Sequence, residues 1–137
     1  MIGEEYMLIN FKNKYKYKNF LEKLFIVSDH IKIGDYSDEN GPRGEFSYTL
    51  REIADETKYV RNFPMGHTGK IHIIKANEIA KEIFLRYDSF LQIGYDHEYE
   101  EGVDILFLDN KGRDVFSVIA HEKMCIIDER YKKVLST

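Results

Sequence analysis

The chain has 137 residues, a net charge of −4, ten Tyr, nine Phe, no Trp and one Cys. That length suits one domain, residues 1 to 137, and the aromatic and apolar content excludes a disordered or low-complexity chain. A single Cys excludes an intramolecular disulfide, and no apolar run approaches the roughly 18 residues of a membrane span, so a cytoplasmic protein with no membrane partner is the expectation.

Taken in chain order, Glu5 to Phe11 reads as a short strand. From Tyr17 the period becomes helical: Tyr17, Phe20, Leu21, Leu24 and Val27 form one stripe, with Lys16, Lys18 and Lys23 largely off it, which predicts an amphipathic helix ending near His30. Ile31 to Ile33 is a short strand, followed by a loop rich in Asp, Asn, Gly and Pro. Thr49 to Glu52 has the spacing of a capping box, so a second helix is expected to run to about Asn62 and stop before Pro64. Met65 to Gly69 reads as a turn, and Ile71, Ile73 and Ile74 mark a strand. Asn77 can cap a third helix with Ile79, Ala80, Ile83, Phe84 and Tyr87 on its buried stripe. Phe90 to Tyr95, Val103 to Leu108, Val115 to Ala120 and Lys123 to Ile127 then predict a four-strand C-terminal meander, with a hairpin turn at Asn110 to Gly112. Strands joined this tightly are antiparallel. The fold class is therefore α+β, with about three helices packed mainly on one face of an antiparallel sheet.

Charge is unevenly spread. Residues 1 to 70 are balanced, and the acidic excess lies in the second half; from Tyr87 to Asn110 there are seven acids and no Lys or Arg. Within this run, GYDHEYEEGVD (94–104) is expected to be a surface connection, because its acids cannot be buried unpaired. A field of one sign attracts cationic partners and repels nucleic acid.

Several chemistries can be set against these residues. Asp96, His97, Asp104 and His121 offer oxygen and imidazole donors to a metal, but their spacing fits neither an EF-hand loop nor HExxH. The stretch GVDILFLDNKGRDVFSVIAHEK resembles the β-hairpin of PD-(D/E)xK nucleases. That resemblance implies metal-assisted hydrolysis, with Asp104 at the first acidic position, whereas Ser117 and Ile119 stand where the family has an acid and a Lys. Tyr48 to Asp55 resembles the first helix of helix-turn-helix regulators, which implies DNA binding through residues 49 to 63; Pro64 and the acidic balance oppose it. The basic, aromatic run from Phe11 to Lys18 reads as a structural segment with Tyr inward and Lys in water. No P-loop, GxGxxG, GxSxG or Cys–His pairing occurs, so neither a cofactor nor a catalytic residue is assigned, and the reading leans away from an enzyme. Cys125, in an apolar run, reads as an inert buried thiol.

The composition is similar in character to small bacterial immunity and inhibitor proteins, and to phage-encoded inhibitors of defence enzymes. That resemblance implies a non-enzymatic module that neutralises a basic protein partner. The expected contacts are Tyr95, Asp96, Glu98, Tyr99, Glu100, Glu101 and Asp104 in the acidic run, supported by Asp109 and Asp114 at the hairpin.

Overall fold

The computed structural model describes residues 14–35, 52–63, 67–90, 93, 104–119 and 124–136. These residues form helix α1 (Lys14–Val27), strands β1 (His30–Asp35), β2 (Glu56–Phe63) and β3 (His67–Lys75), and helix α2 (Glu78–Phe84). Strands β4 (Asp104–Leu108), β5 (Asp114–Ile119) and β6 (Met124–Ile127) follow, and a 3-10 turn (Glu129–Tyr131) leads into the short helix α3 (Lys132–Leu135). The six strands make one sheet in the order β2-β3-β1-β4-β5-β6, and every neighbouring pair is antiparallel. The fold is α+β.

Alternation along the strands gives this sheet a buried face. The register sets Ile31 opposite both Ile74 and Phe107, and Ile33 opposite both His72 and Ile105. Across β4, β5 and β6 the rows continue through Phe116 and Val118 to Ile127 and Cys125. All ten of these side chains are buried, whereas Ile71, Ile73, Leu106, Ile119, Met124 and Ile126, one residue out of phase, are only half-buried.

The helices supply the other half of the core. Tyr17, Phe20, Leu21 and Leu24 from α1, Ala80, Ile83 and Phe84 from α2, and Leu135 from α3 belong to one cluster with the buried sheet residues. Its centre is aromatic: Phe20 and Phe116 lie 4.9 Å apart between centroids, Tyr17 and Phe90 5.0 Å, and Phe84 and Phe107 5.5 Å. Most of these pairs are tilted or edge-on, the arrangement that ring quadrupoles favour. The Tyr17 hydroxyl, carried into this cluster, donates to the Phe84 carbonyl at 2.8 Å and so ties α1 to the last turn of α2.

Several local expectations hold. Asn77 caps α2, its side chain accepting from the Ala80 amide at 3.0 Å. The β4–β5 turn closes through the Gly112 amide to the Asp109 carbonyl, with Gly112 at φ +76°, a conformation that favours glycine. Cys125 is buried, and loss of hydration pushes its thiol pKa up to about 12.

Others are corrected. Glu52 and Ile53 are helical, but the expected helix does not continue to Asn62, because Glu56–Phe63 is strand β2. Thr57, Tyr59 and Val60 have high strand propensity, and pairing with β3 overrides the helical spacing of Ile53, Ala54 and Thr57. With β2 in place, residues 67–69 belong to β3 rather than to a turn.

The meander has three described strands, not four. Phe90 and Ile93, the described residues of the expected Phe90 to Tyr95 strand, are not in a strand, and the Ile93 amide donates to the Phe90 carbonyl at 3.3 Å. Phe90 and Ile93 are both buried; three positions apart, they would point to opposite faces of a strand but share one side of a turn. Ile79, assigned to the buried stripe of α2, is 61% exposed, so α2 packs through Ala80, Ile83 and Phe84. The expected strand at Glu5 to Phe11 and the Thr49 cap lie outside the described residues.

Candidate functional site

The polar chemistry of the described residues gathers where β4 turns into β5. Asp109 follows the last residue of β4, and only 3% of its surface is exposed. One carboxylate oxygen accepts from the Lys111 and Arg113 amides, each at 2.9 Å; the other accepts from Arg113 Nε at 2.8 Å and the Tyr131 hydroxyl at 2.6 Å. The Tyr131 hydroxyl, followed by the two amides and the guanidinium, holds the Asp109 pKa well below the usual carboxylate range, against the opposing effect of lost hydration. The same hydrogen bond raises the pKa of Tyr131.

This geometry corrects one expected contact: Asp109 is not a surface carboxylate awaiting a partner. It is an internal latch that joins the turn to the C-terminal segment. An Asp at the first position of a tight turn bonds the following amides by its own side chain, which is the local reason for the placement.

Asp114 opens β5 on the other side of the turn and is exposed. A one-residue register shift between the Phe107 and Leu108 pairings gives β5 an extra residue, and the consecutive Val115 and Phe116 are both buried. The Val115 carbonyl accepts from the Asp128 amide at 2.9 Å, which brings the 3-10 turn against the start of β5. Asp128 caps that turn through the Arg130 amide at 3.1 Å, and Arg130 reaches both the Asp128 carboxylate at 3.5 Å and the Asp114 carbonyl at 3.3 Å. Asp114, Ser117, Ile126, Ile127, Asp128, Glu129 and Arg130 together border an open hollow of about 560 Å³. Three carboxylates and one guanidinium leave this border acidic.

A second hollow, of about 310 Å³, lies beyond Asp109 and Tyr131, where α1 ends. Ile26, Val27, Ser28, Asp29 and Asn110 complete its border. Asp29 Oδ2 is 2.5 Å from His30 Nδ1, and both side chains remain partly open to solvent.

Of the remaining expected contacts, Asp104 is half-buried and begins β4, so it lies at the end of that strand remote from Leu108 and Asp114. Four strand residues separate the two ends by roughly 13 Å, and therefore Asp104 and Asp114 do not share one small patch. Tyr95, Asp96, Glu98, Tyr99, Glu100 and Glu101 lie outside the described residues, as do His97 and His121 of the metal set. No group of three or more His, Cys, Asp or Glu side chains among the described residues could hold a metal ion. The helix-turn-helix reading of 49 to 63 is corrected as well, since strand β2 occupies 56–63. No helix among the described residues is long and apolar enough to cross a membrane.

Sequence reasoning missed Tyr131, Asp128 and Ser28. The Asp-Glu-Arg order at 128 to 130 carried a usable signal, an Asp that caps a helical turn. The role of Tyr131 depends on a contact 22 residues away, which no local pattern announces. Compared with family models, with curated proteins and with solved structures, the chain matches none.

Proposed function

We propose that the protein is a non-enzymatic binding module that neutralises a basic protein partner, in the manner of an immunity or inhibitor protein, and that it works in the cytoplasm. The observation that carries this reading is the acidic border at the turn end of the sheet. Asp114 and Glu129 are exposed, Asp128 is half-buried, and Arg130 is the one cation among the described side chains that border the hollow. A rigid antiparallel sheet holds these carboxylates at fixed spacing, so a complementary basic surface binds without first ordering them. Ile126 and Ile127 add apolar area beside the charges.

The acidic run ending at Asp104 is a second contact surface in this proposal, at the opposite end of β4, with Tyr95 and Tyr99 as anchors. The cytoplasmic assignment is supported by the lone Cys125, a thiol that stays reduced inside the core.

The experiment is affinity capture from the native host with two charge-reversed chains, Asp114→Lys with Glu129→Lys, and Glu98→Lys with Glu100→Lys and Glu101→Lys. The expected outcome is that a basic protein, identified by mass spectrometry and bound stoichiometrically after purification, loses at least about tenfold in affinity for the first variant, equivalent to about 1.4 kcal/mol. Asp114 and Glu129 are exposed, so melting temperature should barely move. Equal affinity of wild type and both variants would reject the proposal, while a loss confined to the second variant would move the contact to the Asp104 end.

A further inference from the structure

We infer that the smaller hollow at the end of α1 is a seat for a primary alkylammonium, the head of a lysine side chain on the basic partner; this assignment rests on the partner reading above and names the group that reaches deepest.

Ser28 supplies the first observation. It lies one residue past the end of α1, retains 9% of its surface, and its hydroxyl makes no hydrogen bond. The Leu24 carbonyl, four residues back, receives the Ser28 amide at 3.0 Å, and the hydroxyl does not share it, unlike Ser136, whose amide and hydroxyl both reach the Lys132 carbonyl. A buried hydroxyl without a partner at the wall of a hollow has hydrogen-bonding capacity to offer a ligand.

The second observation is the chemistry of the remaining wall. The Tyr131 hydroxyl donates a hydrogen bond to Asp109, and its oxygen, left with acceptor capacity only, also faces the Arg113 guanidinium. Asp109 is already ion-paired with Arg113 and filled by four donors, so the carboxylate left to address a ligand is Asp29, which stands beside His30 and is partly open to solvent. Among the described residues no Lys or Arg borders the hollow, which disfavours an anion.

Third, α1 is 14 residues long and has no basic side chain in its last turn, so none of its own charges complements the negative end of the helix dipole. A compact ammonium with three donors suits such a wall better than a planar guanidinium, because it can address acceptors in three directions. Ile26, 81% exposed at the rim, and Val27 offer apolar surface along which a methylene stem can lie. The volume falls at the small end of the range for ligand pockets, about 300 to 1,000 Å³.

The test is a two-dimensional amide NMR titration of the intact chain with Nα-acetyl-lysine N-methylamide. Saturable shifts are expected at the Ser28, Asn110 and Tyr131 amides, whereas the same molecule with its ε-nitrogen acetylated, which keeps the stem and loses the charge, should leave them in place. Ser28→Ala and Asp29→Asn should each weaken binding at least about fivefold with the spectrum otherwise retained. No saturable shifts, or equal shifts with the uncharged analogue, overturn the assignment. So does binding of 1,5-diaminopentane without binding of the blocked lysine, because the ligand is then a free amine. If the blocked lysine fails while Asp114 and Glu129 reversal still releases the captured protein, this assignment falls and the partner reading stands; the reverse result removes the partner reading and leaves a lysine-sized amine site.

Discussion

The aromatic core and the Asp109 latch stabilise the same sheet by opposite means. In the core, Phe20, Phe84, Phe90, Phe107 and Phe116 meet through broad, weakly directional contacts, and each ring touches several others. At the latch, one carboxylate receives four donors from three residues, and every bond has a direction. Stability from packing grows with area and is insensitive to pH, while stability from a buried charge depends on keeping that charge.

The contrast can be tested at the point of largest effect. Phe107→Ala removes a fully buried ring from the centre of the cluster and should cost about 3 to 5 kcal/mol in chemical denaturation, with little change in the loss between pH 4 and 8. A much smaller loss would mean that neighbouring rings collapse into the space.

Asp109→Asn should have an intermediate effect with a distinct pH signature. The folded state lowers the Asp109 pKa, so the contribution is complete above the unfolded value, near 4, and is lost as pH falls toward the lower folded value. The melting-temperature gap between wild type and Asp109→Asn should therefore be widest at neutral pH and should narrow below about pH 4. A gap of constant size would mean that shape, rather than charge, makes the latch.

The smallest effect is expected at Ile79. It lies on the exposed side of α2, and Ile79→Lys should change stability by less than about 0.5 kcal/mol, which a thermal melt can check. A large loss would restore Ile79 to the buried stripe.

Much of this architecture was legible in short patterns. The α1 stripe, the Asn77 cap, the three consecutive isoleucine-rich or aromatic strands and the Gly112 turn each follow from one local rule, and each is present. Residues 49 to 63 illustrate the limit. A capping box and apolar spacing favoured a helix, but the deciding interaction is pairing of Glu56–Phe63 with β3, which a local window does not contain. The site was less legible for a similar reason. Acidic composition marked Asp109 and Asp114 alike, yet the fold separates their roles: one carboxylate is consumed by Arg113 and Tyr131 inside the molecule, the other stays in water. Ser28 had no signal of its own, since its significance lies in the hydrogen bond it does not make.

The position of β1 has a consequence for how the sheet assembles. It lies between β3 and β4, and its His30 aligns with Lys75 on one side and Leu108 on the other. The β2–β3 hairpin and the β4–β5–β6 ribbon can each close over short loops, but they become one sheet only when this early segment is captured between them. Long-range closure of that kind slows folding. Release of β1 would therefore split the molecule into two ribbons, each with a newly exposed edge open to pairing with another chain.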